Sequence, residues 1–235
     1  MTTLARATPP PAAPARSASD TDTVASLLRR LGDVPPWRVL LRPAPGTATE
    51  ADLLKRVERD GWLCELVEGT LVDKPMGLPE GVLEVAIIEV VNRFVRMRRL
   101  GFCGSASSTL RMFGGNIRLP DVCYFAWDDV PEHRVPKAAV PKLAPTLAIE
   151  VLSEGNTAEE MKKKRTEYFE SGTKLVWEFD PRGRTVDVYR PAAPDAPRHL
   201  DAAATLDGEE VLPGFSIQLA ELFAVLDSIP PSATA

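Results

Sequence analysis

The chain has 235 residues, 44% hydrophobic and 26% charged, with a formal net charge of −5, which is enough for one soluble domain with a sizeable core. An acidic balance argues against a non-specific electrostatic grip on nucleic acid over the whole surface, although it leaves room for a local basic groove. Two histidines and three widely spaced cysteines give no His-based triad, paired zinc spacing or disulfide set, and no apolar run is long enough to cross a bilayer.

Residues 1–22 are rich in Pro, Ala, Ser and Thr with scattered Arg. They read as a disordered tail, with a transit peptide as the alternative, and the expected location is the cytoplasm. Residues 23–61 form an N-terminal helical segment. One short helix spans Thr23 to Leu31 and stops at Pro35 and Pro36, and a second runs from Thr49 to Asp60 with Gly61 as its C-terminal signal.

The main domain is expected over 62–228, followed by a flexible C-terminus at 229–235. Trp62 to Val67 and Thr70 to Lys74 flank Glu68-Gly69 as a β-hairpin. From Leu78 to Leu100, Val82, Val85, Ala86, Ile88, Val90, Phe94 and Met97 recur at helical spacing, and Gly101 stops the helix. Arg93, Arg96, Arg98 and Arg99 cluster near its end. They suit the helix dipole and a solvated face.

Ser105 to Phe113 and Ile117 to Trp127 are expected to form a second hairpin around Gly114-Gly115-Asn116. Asp128 to Leu143 is a proline-punctuated loop. Thr146 to Leu152 is an apolar run broken by one acid, as in a central strand covered on both faces. Thr157 and Glu160 stand as a capping box for a helix that carries Met161, Arg165, Tyr168 and Phe169 and ends at Gly172. Lys174 to Phe179 and Arg184 to Tyr189 form a last hairpin. A strand-turn at Glu210 to Phe215 and a short helix near Leu219 to Leu226 follow. The order predicts an α/β (α+β) fold, a mixed sheet flanked by helices with an additional N-terminal hairpin.

Catalysis in such a chain falls to carboxylates and lysines. Strand alternation puts Ala148, Glu150 and Leu152 on one face. A carboxylate in a central strand needs a cation, a metal or a proton as partner, unless it sits at a strand end in a half-exposed salt bridge. Asp121 follows Pro120, whose missing N–H breaks the ladder and can aim the next side chain, although Pro-Asp is equally a turn dipeptide.

Two acids on neighbouring strands can converge on a hard cation such as Mg²⁺ or Mn²⁺, which polarises a phosphate and generates hydroxide without any histidine. Lys164 falls at the margin of its helix's buried stripe. It either reaches back to the strand of Glu150 or lays its stem over the apolar margin with its head in solvent. Glu80, at the start of the long helix, is a candidate third ligand, with Glu84 one turn later as the alternative and dipole stabilisation as the plain reading.

From Trp62 to Phe223 the chain resembles the Uma-two type restriction endonuclease family, a PD-(D/E)XK nuclease family. The likeness runs through Val67 to Gly77, Leu119-Pro120-Asp121-Val122, Ala144-Pro145, Ile149-Glu150-Val151-Leu152-Ser153, Lys164 to Tyr168, Leu175-Val176-Trp177 and Leu212-Pro213-Gly214-Phe215. The resemblance implies a restriction-endonuclease-like core, with Asp121 and Glu150 as metal ligands and Glu80 as the acid at the start of the long helix. Leu152 stands where the superfamily motif has lysine, and the resemblance implies that Lys164 replaces it from the following helix. The expected function is Mg²⁺- or Mn²⁺-dependent endonucleolytic hydrolysis of DNA, in a protein without membrane partners and compatible with a homodimer. The alternative is a catalytically silent nuclease-fold module that binds nucleic acid or protein.

Overall fold

A computed structural model describes residues 23–75 and 77–227; the expected tails at 1–22 and 229–235 lie outside the described residues. Helix α1 (Val24–Arg30) starts at Thr23, whose hydroxyl accepts from the Ser26 N–H, and α2 (Glu50–Asp60) starts at Thr49, paired reciprocally with Asp52. Each side-chain cap satisfies N–H groups that the first helical turn leaves unpaired. Gly61 closes α2 in the left-handed conformation, φ 65°, which glycine adopts without steric cost.

β1 (Cys64–Val67) and β2 (Thr70–Asp73) form the expected hairpin, with Val67 opposite Thr70. α3 (Leu78–Arg98) then buries Leu83, Ile87, Val91 and Val95. This row at four-residue spacing lies against the main sheet, where each buried aliphatic side chain contributes roughly 1.5–3 kcal/mol.

The expected hairpin over Ser105 to Trp127 is not formed as one unit. β3 (Gly101–Ser105) begins directly after α3 and pairs with β6 (Val122–Ala126). Between them, β4 (Leu110–Arg111) and β5 (Ile117–Arg118) make a small hairpin that joins β1. Pro120 lies between β5 and β6, and its lack of an N–H ends one ladder before the next begins. The loop from Asp128 to Leu143 contains only short 3₁₀ turns.

β7 (Leu147–Val151) is buried along its whole length. Through α4 (Ala158–Ser171) the chain crosses over to β8 (Leu175–Asp180), which lies parallel to β7. β9 (Thr185–Arg190) returns antiparallel to β8, and β10 (Ala193–Leu200) pairs with β9. β10 lies in a stretch of the main domain where the sequence predicts no strand. Its Pro194 and Pro197 suit an edge position, where no neighbour needs their N–H.

β11 (Thr205–Asp207) and β12 (Ser216–Gln218) form a two-stranded ribbon. Of the strand-turn expected at Glu210 to Phe215 only the turn is formed, and it joins these two strands. α5 (Leu219–Phe223) ends the described fold.

Two larger sheets result: a four-stranded one ordered β2-β1-β5-β4 and a mixed six-stranded one ordered β10-β9-β8-β7-β6-β3. α3 and α5 cover one face of the larger sheet through Leu147, Ile149, Val151 and Trp177. α4 covers the other face, where Tyr168 packs with Ala148 and Val176. α4 also contacts the smaller sheet, because Arg118 of β5 bonds its Glu167.

Cys64, Cys103 and Cys123 are free thiols, and burial pushes them up to about 11, 12 and 12 respectively. No described helix is long and apolar enough to cross a membrane.

Candidate active site

β6 and β7 run antiparallel with Val122 opposite Ile149, so the next residues out, Asp121 and Glu150, face each other at the end of the ladder. Asp121 is 7% exposed and Glu150 3% exposed. A carboxylate this far inside must find donors. Asp121 Oδ2 accepts from the Val151 N–H at 2.6 Å, and its Oδ1 lies 2.9 Å from the Lys74 ammonium. Lys74, just past β2, also donates to the Leu119 carbonyl.

Glu150 is gripped by α4. The Tyr168 hydroxyl donates to Oε1 at 2.5 Å and the Lys164 ammonium lies 3.2 Å from Oε2. Lys164 is 2% exposed, inside the protein rather than at the margin of the helix stripe. Its nitrogen is also 3.2 Å from Glu65 Oε1. Glu65 in turn binds Arg118 at 2.8 Å, and Arg118 binds Glu167 at 2.6 Å.

α4 therefore sends Lys164, Glu167 and Tyr168 into a polar interior between the two sheets. Its first turn does the same. Thr157 caps the Glu160 N–H, but the Glu160 carboxylate does not reach back to complete a capping box; it forms a two-pronged ion pair with buried Arg38. A buried guanidinium is a stronger partner for that carboxylate than one more backbone N–H.

The charges in this interior are uneven. Glu65, Glu84, Asp121, Glu150 and Glu167 are five acids against three cations, Lys74, Arg118 and Lys164. Burial pushes the Glu150 carboxyl up to about 7, opposed by Lys164 and reinforced by Asp121. Burial works the same way on Glu65, but Lys164, Arg118 and Lys74 outweigh it and hold Glu65 well below the usual range. Lys164 loses some basicity to burial and regains more from Glu150 and Glu65, which hold it well above the usual lysine value. The two acids around Lys164 thus shift in opposite directions: the neighbouring cations hold Glu65 low, and burial pushes Glu150 up.

Asp121, Glu150 and Lys164 are brought together. Glu80 is half-buried in a groove of about 640 Å³ with Pro75, Gly155, Arg182 and Arg184, and no hydrogen bond or ion pair joins it to Asp121 or Glu150 among the described residues. Glu84, one turn on, is closer in effect. Its carboxylate accepts from the Ala106 N–H at 3.4 Å, and burial and then Asp121 push it up.

Glu65, Lys74, Arg118 and Tyr168 are participants that the sequence reading did not single out. For Glu65 a signal existed, because an acid between Leu63, Cys64 and Leu66 carries the same burial penalty that marked Glu150.

Among the described residues, no group of three or more His, Cys, Asp and Glu is set to hold a metal ion. The donor chemistry nevertheless fits a divalent cation. Asp121 and Glu150 offer hard oxygens from adjacent strands, and the local excess of two negative charges is what such an ion would offset.

Residues 50–220 match the family described as "Uma2: Putative restriction endonuclease". The structure is also similar to the crystal structure of a protein from Anabaena variabilis described as "a putative nuclease belonging to DUF820". The TM-score is 0.63 at 25% identity, over 71% of this chain and 92% of that one. No match is found among curated proteins.

Proposed function

Because the chain belongs to the Uma2 family of restriction-endonuclease-type proteins, we propose that it is a metal-dependent endonuclease that hydrolyses phosphodiester bonds of DNA. Asp121 and Glu150 hold a Mg²⁺ or Mn²⁺ ion and Lys164 acts as the electrostatic helper. The observation that carries this reading is the facing of Asp121 and Glu150 across the β6–β7 register, with a lysine ammonium on each.

When bound, the ion polarises the scissile phosphate and makes water a competent nucleophile at neutral pH. The chain's own groups supply the rest. Tyr168 and the Val151 N–H each fix one oxygen of an acid, leaving the other oxygen to Lys164 or Lys74. Lys164 keeps Glu65 and Glu150 from repelling each other and presents positive charge toward the place where phosphate charge builds up. The low exposure of all these groups keeps bulk water out, which strengthens each electrostatic contact. The third acid in this reading is Glu84 rather than Glu80, because Glu84 shares the field of Asp121 and Lys74.

The second reading is a silent nuclease-fold module that binds nucleic acid or protein. It is favoured by Leu152 in the motif's lysine position and by the closure of the site, since both metal-facing acids are already paired with lysines.

Two measurements on purified full-length protein separate the readings: Mn²⁺ titration calorimetry, and cleavage of supercoiled plasmid with Mg²⁺ or Mn²⁺. The nuclease reading expects one ion per chain in wild type, lost in Asp121→Asn, with cleavage lost in parallel. Absence of both ion binding and cleavage in wild type would leave the silent module.

A further inference from the structure

The C-terminal half of α3 exposes Arg93, Arg96, Arg98 and Arg99. None of them has a hydrogen bond or ion pair with a carboxylate among the described residues. Elsewhere on this acidic chain Arg59 pairs with Asp60, Arg182 with Glu154, Arg184 with Asp227 and Arg198 with Asp207; exposed Arg29, Arg42 and Arg134 also lack a carboxylate partner among the described residues, but they stand singly on separate segments, whereas the four of α3 share the end of one helix. Acids lie nearby. Glu89 is one turn before Arg93, and Glu221 shares a groove with it, yet neither closes on an arginine.

Two of the four are held in a set position, and one of them at a cost in backbone strain. The Arg98 guanidinium lies 5.2 Å from the centre of the Phe94 ring. Arg99 is the C-cap in the left-handed conformation, φ 56° and ψ 34°, a position that glycine or asparagine fills with less strain. The helix dipole accounts for a cation or two in the last turn; it does not account for Arg93, a turn earlier, or for an arginine in a glycine-like conformation.

We infer that this end of α3 is a contact surface for the phosphodiester backbone of nucleic acid. The inference rests on the nuclease reading for its choice of ligand. Guanidinium forks match phosphate oxygens in pairs, and four unpaired ones within two helical turns form a local basic patch on an otherwise acidic protein.

The register places this patch relative to the candidate active site. Gly101 pairs with Ala126 at the patch end of β3, and Ser105 pairs with Val122 at the other end, beside Asp121. Along the helix axis the rise from Glu84 to Arg96 is about 18 Å, about half a turn of a B-form duplex, and the arginines lie on the side of α3 turned away from the sheet. The patch acts as a guide surface, gripping backbone away from the scissile bond.

The test is fluorescence anisotropy with the full chain in EDTA, using a labelled DNA duplex of about three helical turns, over a series of salt concentrations. Replacing all four arginines with glutamine should weaken binding at low salt at least ~10-fold and make the slope of log affinity against log salt shallower by about 3–4. The exposed pair Arg93→Gln/Arg96→Gln, which spares the Arg98–Phe94 contact and alters no backbone group of the helix cap, should change the slope by about 2. The pair variant keeps the test valid if the quadruple variant loses its fold.

An unchanged affinity and slope in the pair variant overturns the inference, as does absence of duplex binding by wild type. Binding to phosphatidylserine vesicles that the substitutions abolish, with DNA affinity unmoved, also overturns it. Duplex binding that needs the arginines, in a wild type that cleaves nothing with Mg²⁺ or Mn²⁺, supports the inference and removes the nuclease reading. Cleavage with arginine-independent binding does the reverse.

Discussion

The Lys74 ammonium lies 2.9 Å from Asp121 Oδ1, on the carboxylate that, in the proposed mechanism, a metal ion must also use. Lysine and ion therefore compete. Lys74→Met should tighten Mn²⁺ binding by about tenfold, the equivalent of roughly 1.4 kcal/mol. The apo protein should lose about 3 kcal/mol from the uncompensated buried acid. Calorimetric titration and thermal melts with and without Mn²⁺ check both, and equal affinity in the two proteins would show that Lys74 is not a competitor.

Removing the charge of Glu150 separates chemistry from folding. Glu150→Gln keeps an acceptor for Tyr168 and relieves repulsion with Asp121, while Lys164 retains Glu65. Mn²⁺-dependent cleavage should vanish while the apo variant at pH 8 stays as stable as wild type or becomes more stable. Equal plasmid cleavage by the two proteins would assign the activity elsewhere.

The Glu150 carboxyl also sets a pH dependence with a definite sign. Its value rises from the ordinary 4.5 to about 7 in the fold, chiefly through burial. Stability from this group is therefore fully present below 4.5 and is lost as pH rises through about 7, by on the order of 3 kcal/mol. Glu65, held low, contributes in the opposite sense and at more acid pH, where its stabilisation disappears. Urea melts from pH 5 to 8 should show the decline in wild type and not in Glu150→Gln. Activity should follow the reverse course, rising with pH as Glu150 ionises, and its acid limb should move to lower pH as metal concentration increases.

Lys164 cannot be treated as a lysine at the edge of a helix stripe. At 2% exposure between two carboxylates, its loss leaves buried Glu150 without a cation, held by Tyr168 alone, and leaves Glu65 to Arg118, so Lys164→Met should destabilise by about 3–5 kcal/mol. Lys164→Met/Glu65→Gln should recover part of that stability by removing the repulsion between Glu65 and Glu150 that Lys164 no longer offsets. Cleavage should remain at least ~10² below wild type in the double variant, the size expected for one lost electrostatic stabiliser. Recovery of activity along with stability would reduce Lys164 to a structural role.

The N-terminal segment should not be dispensable. Arg38 holds Glu160 with two hydrogen bonds and donates to the Gly155 and Asp73 carbonyls, while Thr157 donates to the Gly32 carbonyl. Arg38→Met is expected to cost about 3–5 kcal/mol, and a chain beginning at Trp62 should fail to give a cooperative melt. A stable truncated protein would refute this coupling.

Much of this architecture was legible because single residues carried decisive physics. Gly61 and Gly172 ended helices, Thr49 and Thr157 began them, and the lone acid of an apolar strand drew attention to Glu150. The break at Pro120 was also legible in principle. The aromatic and β-branched run on either side of it favoured one long strand, and the missing N–H decided otherwise. β10 was obscured by the two prolines that suit it to a sheet edge. The charge network was harder to see. Glu65 and Lys164 stand far apart in the chain, as do Arg38 and Glu160 at 122 positions, and no local period links residues that meet only when α4 is enclosed between two sheets. Glu160 misled for a local reason, since its spacing from Thr157 fits a capping box and its actual partner lies far upstream.

The stretch Leu119-Pro120-Asp121 is the strap by which one sheet hands the chain to the other. Lys74, Glu65 and Arg118 belong to the small sheet's side, and Asp121 and Glu150 to the large sheet's. Prising the sheets apart would therefore pull unlike charges away from one another, so the protein resists opening at the place where, in the proposed mechanism, a substrate would enter. In the proposed mechanism an incoming cation would change that balance by taking over the lysines' work on the acids. The Val151 amide, which donates to Asp121, serves as a strain gauge on this joint, and its hydrogen exchange should quicken whenever the seam yields.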